Sequence, residues 1–212
     1  MRLLAALPDG VTHRQVLIRH GEPVASAHGR CYGKLDVALS PAGLAEMRRT
    51  AAALAAAPLA AVLASPRRRA VESARALADP RGLPVAVDAR LAELDFGALE
   101  GLAYDEVAAR HPELYRAWME TPTAVTFPGG ESFAAMRVRV AAAAADVRRR
   151  HAGASVALVT HGGVIRIVLA DTLGIADADV FRLEQSYAAV SCVDWYDATP
   201  IVRCVNWLPE GA

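Results

Sequence analysis

Apolar residues in this chain follow two patterns in alternation: short unbroken runs, and longer segments where they recur every three or four positions. The runs are clearest at residues 14–18, which contain Val16, Leu17 and Ile18, and at residues 156–160. A compact run bounded by a polar turn suits a central parallel strand buried on both faces. Residues 60–64 and 84–87 predict two further strands. Residues 187–196 and 201–207 predict a closing pair joined by an Asp-Ala-Thr-Pro turn. The longer segments predict helices. Ser40-Pro41 offers an N-cap and a proline at the first helical position. The helix it opens carries Leu44, Met47, Ala51 and Leu54 on its inner face, reaches residue 57 and stops at Pro58. Ser65-Pro66 repeats the signal for a helix to residue 78. Residues 104–111 and 113–120 predict short helices split by Pro112, residues 131–151 a long one, and residues 163–173 another.

Strand and helix thus alternate with short connections. The expected fold is α/β, a three-layer sandwich with a mostly parallel central sheet and helices on both faces. No composition shift marks a linker and no segment repeats. The chain reads as one domain over residues 1–212, with residues 90–130 as an inserted covering segment over one edge.

Composition narrows the function. Among 212 residues, 23 Lys plus Arg balance 23 Asp plus Glu, so the formal net charge is zero. A neutral chain lacks the broad field that grips nucleic acid or an anionic membrane, and neither is expected as a partner. Any anion must meet a local cluster. The basic side chains suit that, because Lys34 is the single lysine and the rest are arginines, rigid forks that stay charged. With 54% hydrophobic residues and a mean hydropathy of +0.23, the chain can bury a substantial core. Cys31, Cys192 and Cys204 are too few and scattered for a disulfide framework, and no CxxC suggests zinc. If the last two strands form a hairpin, Cys192 and Cys204 are equidistant from Ala198 and face each other as free thiols. Pro8, Asp9 and Gly10 interrupt any signal-peptide layout, and no apolar stretch approaches 20 residues. The expected location is the cytoplasm.

In open α/β sheets ligands collect beyond the carboxyl ends of the strands. Two strands end alike there, Leu17-Ile18-Arg19-His20-Gly21-Glu22 and Leu158-Val159-Thr160-His161-Gly162-Gly163. If they are neighbours, His20 and His161 face one crevice. The glycines permit close backbone approach, and the helix after His161 points its positive end at the same space. His13, His28, His111 and His151 lack this context and read as bystanders. A zinc pair lacks a third ligand and an H-E-x-x-H helix. A serine nucleophile lacks its G-x-S-x-G elbow, and neither a Walker loop nor a G-x-G-x-x-G turn is present. What remains is phosphate chemistry without metal, nucleotide or other cofactor. Arg19 stands beside His20, and Arg67, Arg68 and Arg69 open a helix whose dipole they oppose unless an anion binds. Arg69 reads as the inward fork, Arg67 and Arg68 as a solvated face. Glu93, interleaved with apolar residues, is a candidate general acid, since apolar walls raise a carboxyl pKa.

These residues fall into five blocks: Arg19-His20-Gly21-Glu22, Ser65-Pro66-x-x-Arg69-Ala70, Leu91-x-Glu93-x-x-Phe96-Gly97-x-x-Glu100-Gly101, Pro128-x-Gly130-Glu131-Ser132 and Thr160-His161-Gly162-Gly163. Their order resembles the histidine phosphatase superfamily, the phosphoglycerate-mutase-like group, over about three quarters of the chain. Gly29-Arg30-Cys31-Tyr32-Gly33-Lys34-Leu35-Asp36 is most similar to the α-ribazole phosphatase branch, which acts in cobalamin nucleotide-loop assembly. The resemblance implies that His20 attacks phosphorus and becomes a phosphohistidine. Arg19, Arg69 and His161 would hold the non-bridging oxygens. Glu93 would protonate the leaving oxygen and then activate water, and a backbone carbonyl such as that of Gly21 would take the other nitrogen of His20. Where many relatives carry a phosphate-touching asparagine, this chain reads Val24-Ala25-Ser26-Ala27-His28, with Ser26 as the stand-in. Tyr32, Gly33 and Gly162 are the other expected substrate contacts, and the Tyr32 loop and residues 121–128 are expected to choose the ester. The expected partner is a small phosphate ester, with a homodimer as the assembly considered. The alternatives are a cofactor-dependent phosphoglycerate mutase, disfavoured by the short segment between Gly101 and Ser132, and a non-catalytic phosphate-binding module.

Overall fold

The computed structural model describes Leu4 and residues 6–209. Within them lie strands β1 (His13–Arg19), β2 (Leu59–Ala64), β3 (Val85–Val87), β4 (Ser155–Thr160), β5 (Val190–Tyr196) and β6 (Thr199–Trp207). The α-helices are α1 (Pro41–Ala53), α2 (Arg68–Ala78), α3 (Tyr104–Arg110), α4 (Pro112–Glu120), α5 (Phe133–Arg150) and α6 (Gly162–Leu173). The strands form one sheet in the order β3-β2-β4-β1-β5-β6. Its first four members run parallel, while β5 is antiparallel to β1 and β6 antiparallel to β5. Strand residues alternate between two cores, as the period of two requires. Val16 and Ile18 pack with Met47, Leu54 and Leu77 from the α1/α2 layer. Leu17 and Leu158 pack with Met136, Val140, Ile165 and Leu169 from the α5/α6 layer. Burial on both faces explains why β1 and β4 are unbroken apolar runs. The mostly parallel three-layer arrangement is the expected one.

Several element ends shift, each for a local reason. Helix α1 stops at Ala53, and residues 54–57 close as turns, with Ala57 N–H donating to Leu54 O; Pro58 disfavours helix at Ala57. Ser132, not Glu131, caps α5, accepting from Ala135 N–H at 3.1 Å. The β5–β6 turn is tighter than expected: Tyr196 pairs with Thr199 across Asp197 and Ala198, with Asp197 at φ 54°. Cys192 and Cys204 stand opposite each other as free thiols, as expected. Burial pushes the Cys192 thiol up to about 12. Residues 90–130 build a third small core, in which Leu99, Val107, Val125 and Phe127 are joined by Cys31.

The topology points to one place. After β1 the chain enters α1 on one face, and after the adjacent β4 it enters α6 on the other. This divergence opens a crevice at the carboxyl ends of β1 and β4. At the opposite end of β1, Arg14 and Asp194 form a fully buried pair on facing strands, bidentate at 2.5 and 2.9 Å. Arg203 Nε also donates to Asp194 Oδ2, at 2.7 Å. Burial alone would raise the Asp194 carboxyl, but the hydrogen bonds from Arg14 and Arg203 outweigh it and hold the group below its ordinary value. A carboxyl lowered in the fold contributes stability that is present above about pH 4 and is lost as pH falls through the folded value. Asp194→Ala leaves the buried Arg14 guanidinium without its carboxylate, with the Ala6 carbonyl as its remaining partner. It should cost about 3–5 kcal/mol in urea unfolding at pH 7, and a loss below ~1 kcal/mol would contradict this role.

Candidate active site

His20 and His161 are the residues immediately after β1 and β4. The parallel register pairs Arg19 with Thr160, so the two histidines emerge side by side. Their rings lie edge to face with centroids 5.1 Å apart, and both are buried. His20 N–H donates to Thr160 O at 2.9 Å, and Thr160 Oγ1 donates to Leu91 O at 2.6 Å. The strand that delivers one histidine therefore anchors the other, along with the segment leading to Glu93. His20 Nδ1 lies 2.7 Å from Gly21 O, the carbonyl expected from the sequence. A carbonyl only accepts, so Nδ1 carries the proton and Nε2 keeps a free lone pair. Burial, followed by the charges of Arg69 and Arg19, pushes His20 well below the ordinary 6.5. Burial, Arg69, His20 and Arg19 do the same to His161. The pair is neutral because it is buried and cations surround it.

Ser65, expected as a helix cap, has a different place. Helix α2 begins at Arg68, and Ser65 Oγ stands 2.7 Å from His161 Nε2. The same oxygen accepts from Arg67 N–H at 3.3 Å. His161 Nδ1 is buried and has no partner. Arg69, in the first turn of α2, is wholly buried. Its Nη1 donates to Leu35 O (2.8 Å) and its Nη2 to Gly33 O (3.0 Å), which fixes the fork against the loop. Arg19 donates to Gln185 O and lies 4.0 Å over the Tyr187 ring. Arg19 Nε and Arg69 Nε are buried donors without partners. Arg68 is solvated and paired with Glu72, as expected. Arg67 departs from the expected solvated face: it is half-buried, and its Nε is unpartnered.

Glu93 Oε1 accepts from Leu94 N–H (3.0 Å) and Oε2 from Gly163 N–H (3.1 Å). Two backbone donors, one of them in the first turn of α6, hold the carboxylate in place of the apolar wall expected around it. A Cβ at Gly163 would come within 2.3 Å of Glu93 Oε1, so a side chain there would push the carboxylate from this position. The segment behind Glu93 is clamped by Arg139 of α5. Arg139 donates to the carbonyls of Arg90, Ala92 and Glu93 and pairs bidentately with Glu131 at 2.7 Å. Glu100 likewise fastens the Tyr32 loop, accepting from the backbone of Lys34, Leu35 and Phe96. A Cβ at Gly33 would lie 1.7 Å from Leu94 O, so that position admits no side chain.

These groups meet in a cavity of about 150 Å³ lined by Arg19, His20, Tyr32, Gly33, Arg69, Glu93 and His161, with Arg30, Phe96 and Tyr104 at its rim. Of the expected substrate contacts, Tyr32 and Gly33 are present. Ser26 is not: it sits exposed in the short helical turn Ala25–Ala27, off the cavity wall. The turn closes locally through Ala27 N–H to Val24 O. Gly162 opens α6 beside the site but does not line the cavity. Sequence reasoning missed Ser65, Arg139, Arg30, Tyr104 and Tyr187. Tyr187, whose ring lies 5.6 Å from that of His20 and whose hydroxyl meets that of Tyr32 at 2.9 Å, was legible through topology. A strand antiparallel to β1 has its beginning at the carboxyl end of β1. Among the described residues, no group of three or more His, Cys, Asp or Glu is arranged to hold a metal ion, and no helix is long and apolar enough to cross a membrane.

Comparison with known proteins adds to this geometry. A family profile for the histidine phosphatase superfamily (branch 1) matches residues 15–208. A bifunctional protein of Mycobacterium tuberculosis is 36% identical over 93% of this chain, and the match covers 54% of its own length. The chain therefore spans about half the length of that relative. Phosphoserine phosphatase 1 of Hydrogenobacter thermophilus is 34% identical, with 90% of each chain covered. Among solved structures, the α-ribazole phosphatase of Shigella flexneri superposes with a TM-score of 0.85 at 26% identity, covering 94% of this chain and 98% of its own.

Two outcomes follow from the geometry. Nitrogen-detected NMR should show His20 and His161 neutral at pH 6, with the Nδ1–H tautomer at His20; an imidazolium signal from either would contradict the buried cationic setting. Because both are lowered in the fold, the unfolded chain binds more protons below about pH 6.5, so stability falls as pH drops from there. Replacing either with asparagine should flatten that slope.

Proposed function

Because the chain belongs to the histidine phosphatase superfamily, we propose that it is a metal-independent phosphomonoesterase working through a phosphohistidine at His20. The observation that carries this reading is the neutral His20, with Nδ1–H bound to Gly21 O and Nε2 free, set in a small cavity among Arg19, Arg69 and His161. The unpartnered buried donors Arg19 Nε and Arg69 Nε add support, with His161 Nδ1 also buried and unpartnered. Buried unmet donors cost about 1–3 kcal/mol each; an oxyanion is the ligand that would meet both guanidinium groups, and His161 too in its Nδ1–H tautomer.

The proposed cycle has two displacements. In the first, the Nε2 lone pair of His20 attacks phosphorus as the ester P–O bond breaks. A protonated Glu93 delivers its proton to the departing alkoxide. The two guanidinium groups and His161 hold the non-bridging oxygens while their charge shifts, and since they are already oriented, little reorganisation is needed during transfer. In the second, the Glu93 carboxylate takes a proton from water as the water oxygen attacks phosphorus. The P–N bond breaks, inorganic phosphate leaves, and His20 and Glu93 return to their starting states. The substrate is a small phosphorylated metabolite. α-Ribazole 5′-phosphate is the first ester to test, given the likeness to a solved α-ribazole phosphatase, and phosphoserine the second, given the relative of that name.

His20→Ala should lower kcat by at least about 1000-fold, while EDTA leaves the parent activity intact and a coupled phosphoglycerate mutase assay stays silent. A His20→Ala protein that keeps its turnover overturns the mechanism; a large loss with EDTA overturns metal independence. Glu93→Gln should slow alkyl phosphates about 100-fold or more but p-nitrophenyl phosphate far less, because that leaving group needs no acid. Arg139→Ala, which frees the segment carrying Glu93, should lower kcat on alkyl phosphates roughly 10-fold and leave KM nearly unchanged. An equal loss on both ester types would show that Arg139 does not act through Glu93.

A further inference from the structure

The cavity around His20 holds a phosphoryl group and little more: about 150 Å³, against roughly 300–1,000 Å³ for pockets that enclose a whole small ligand. The rest of any ester must pass the rim formed by Arg30, Phe96 and Tyr104. Tyr104 also lines a second space. This is a groove of about 310 Å³ formed with Tyr115, Trp118, Met119, Pro122 and Phe181, between the covering segment and the helical turn Asp177–Arg182. Tyr104 therefore stands between the two spaces, and they are neighbours.

The groove is apolar and carries no carboxylate, guanidinium or ammonium in its lining. Tyr104, Met119 and Phe181 are 42%, 53% and 48% exposed, and they gather there instead of being scattered singly. The wall is also well braced. Tyr104 meets Trp118 edge to face at 5.6 Å, and Trp118 contacts Phe96 at 5.5 Å and Phe127 at 5.3 Å, the last buried in the covering segment's own core. Aromatic walls of this kind favour flat rings that stack or meet them edge-on. Arg30, at the mouth of the cavity, donates to Gly101 O at 2.8 Å and lies 3.5 Å from Glu106, which offsets its charge. Within the groove, a leaving group bearing a carboxylate would meet no positive side chain in the lining.

We propose that this groove is the leaving-group subsite and receives an uncharged aromatic ring, so that the preferred substrates are monoesters of alcohols carrying such a ring a short way from the ester oxygen. The inference rests on the phosphatase reading above and names the substrate class of that same site. The test compares kcat/KM for 3-phenylpropyl phosphate with that for propyl phosphate, whose leaving alkoxides are nearly equal in basicity, alongside phosphoserine and 3-phosphoglycerate. The phenylpropyl ester should exceed the propyl ester by at least about 10-fold, with both acidic esters no better than propyl. Met119→Glu and Phe181→Ala, each at a half-exposed position, should cut the phenylpropyl-to-propyl ratio below about 3-fold. Val138→Ala, 73% exposed on α5 and outside the groove lining, should keep the parent ratio. Equal kcat/KM for the two alkyl esters, a ratio unmoved by both groove variants, or a preference for either acidic ester overturns the subsite while the phosphatase reading stands. Turnover of none of the four overturns both.

Discussion

Parallel pairing of β1 with β4 sets everything at this site. The two strands are in register up to Arg19 and Thr160, so the next residue on each is a histidine, and the two imidazoles share one buried space. A slip of one residue would turn every side chain on one strand to the opposite face. Leu17 and Ile18 belong to different cores, so such a slip would also expose apolar groups that are wholly buried. The same packing that stabilises the sheet thus fixes the distance between the two rings.

Charge is arranged around that pair without any ion pair to the histidines themselves. Arg69 and Arg19 are tied to backbone carbonyls of Gly33, Leu35 and Gln185 instead of to carboxylates. Carbonyl partners orient a guanidinium while leaving its full charge in place, so the site keeps a positive potential. Burial first and that potential second hold both imidazoles neutral, and the potential suits a doubly charged phosphoryl group. In the proposed cycle one feature thereby serves two ends: a nucleophile with a free lone pair, and donors already aimed for an anion. Of the carboxylates, Glu93 alone lines the cavity. Glu93 is held by backbone amides, while Glu100 and Glu131 fasten loops and Arg139.

Much of this was legible in the sequence. Unbroken apolar runs marked the buried strands, and repetition of a histidine-glycine ending on two of them marked the site. Three arginines at a helix start oppose its dipole and pointed to an anion, and Arg69 stood out as the inward fork because it lies further in. What stayed hidden depends on non-local approach. Ser65-Pro66 carries a helix-start pattern, yet the serine is drawn to His161 from a distant strand and the helix begins later. Arg139 lies among the other arginines of α5, and only the packing of that helix behind residues 90–93 reveals its clamp. Ser26 occupies the expected place in sequence, but its turn closes locally and carries the hydroxyl outward. Side-chain direction in a loop leaves no periodic trace to read.

The central claim is that one neutral imidazole, that of His20, carries the phosphoryl group between ester and water. Rapid acid-sparing quench of turnover with a phosphorus-32-labelled ester, followed by peptide mapping, tests it most directly. The account predicts an acid-labile, base-stable label on the peptide containing His20, formed in the burst and lost as phosphate is released. A label on any other residue, or phosphate released in the burst with no labelled protein at all, would contradict it.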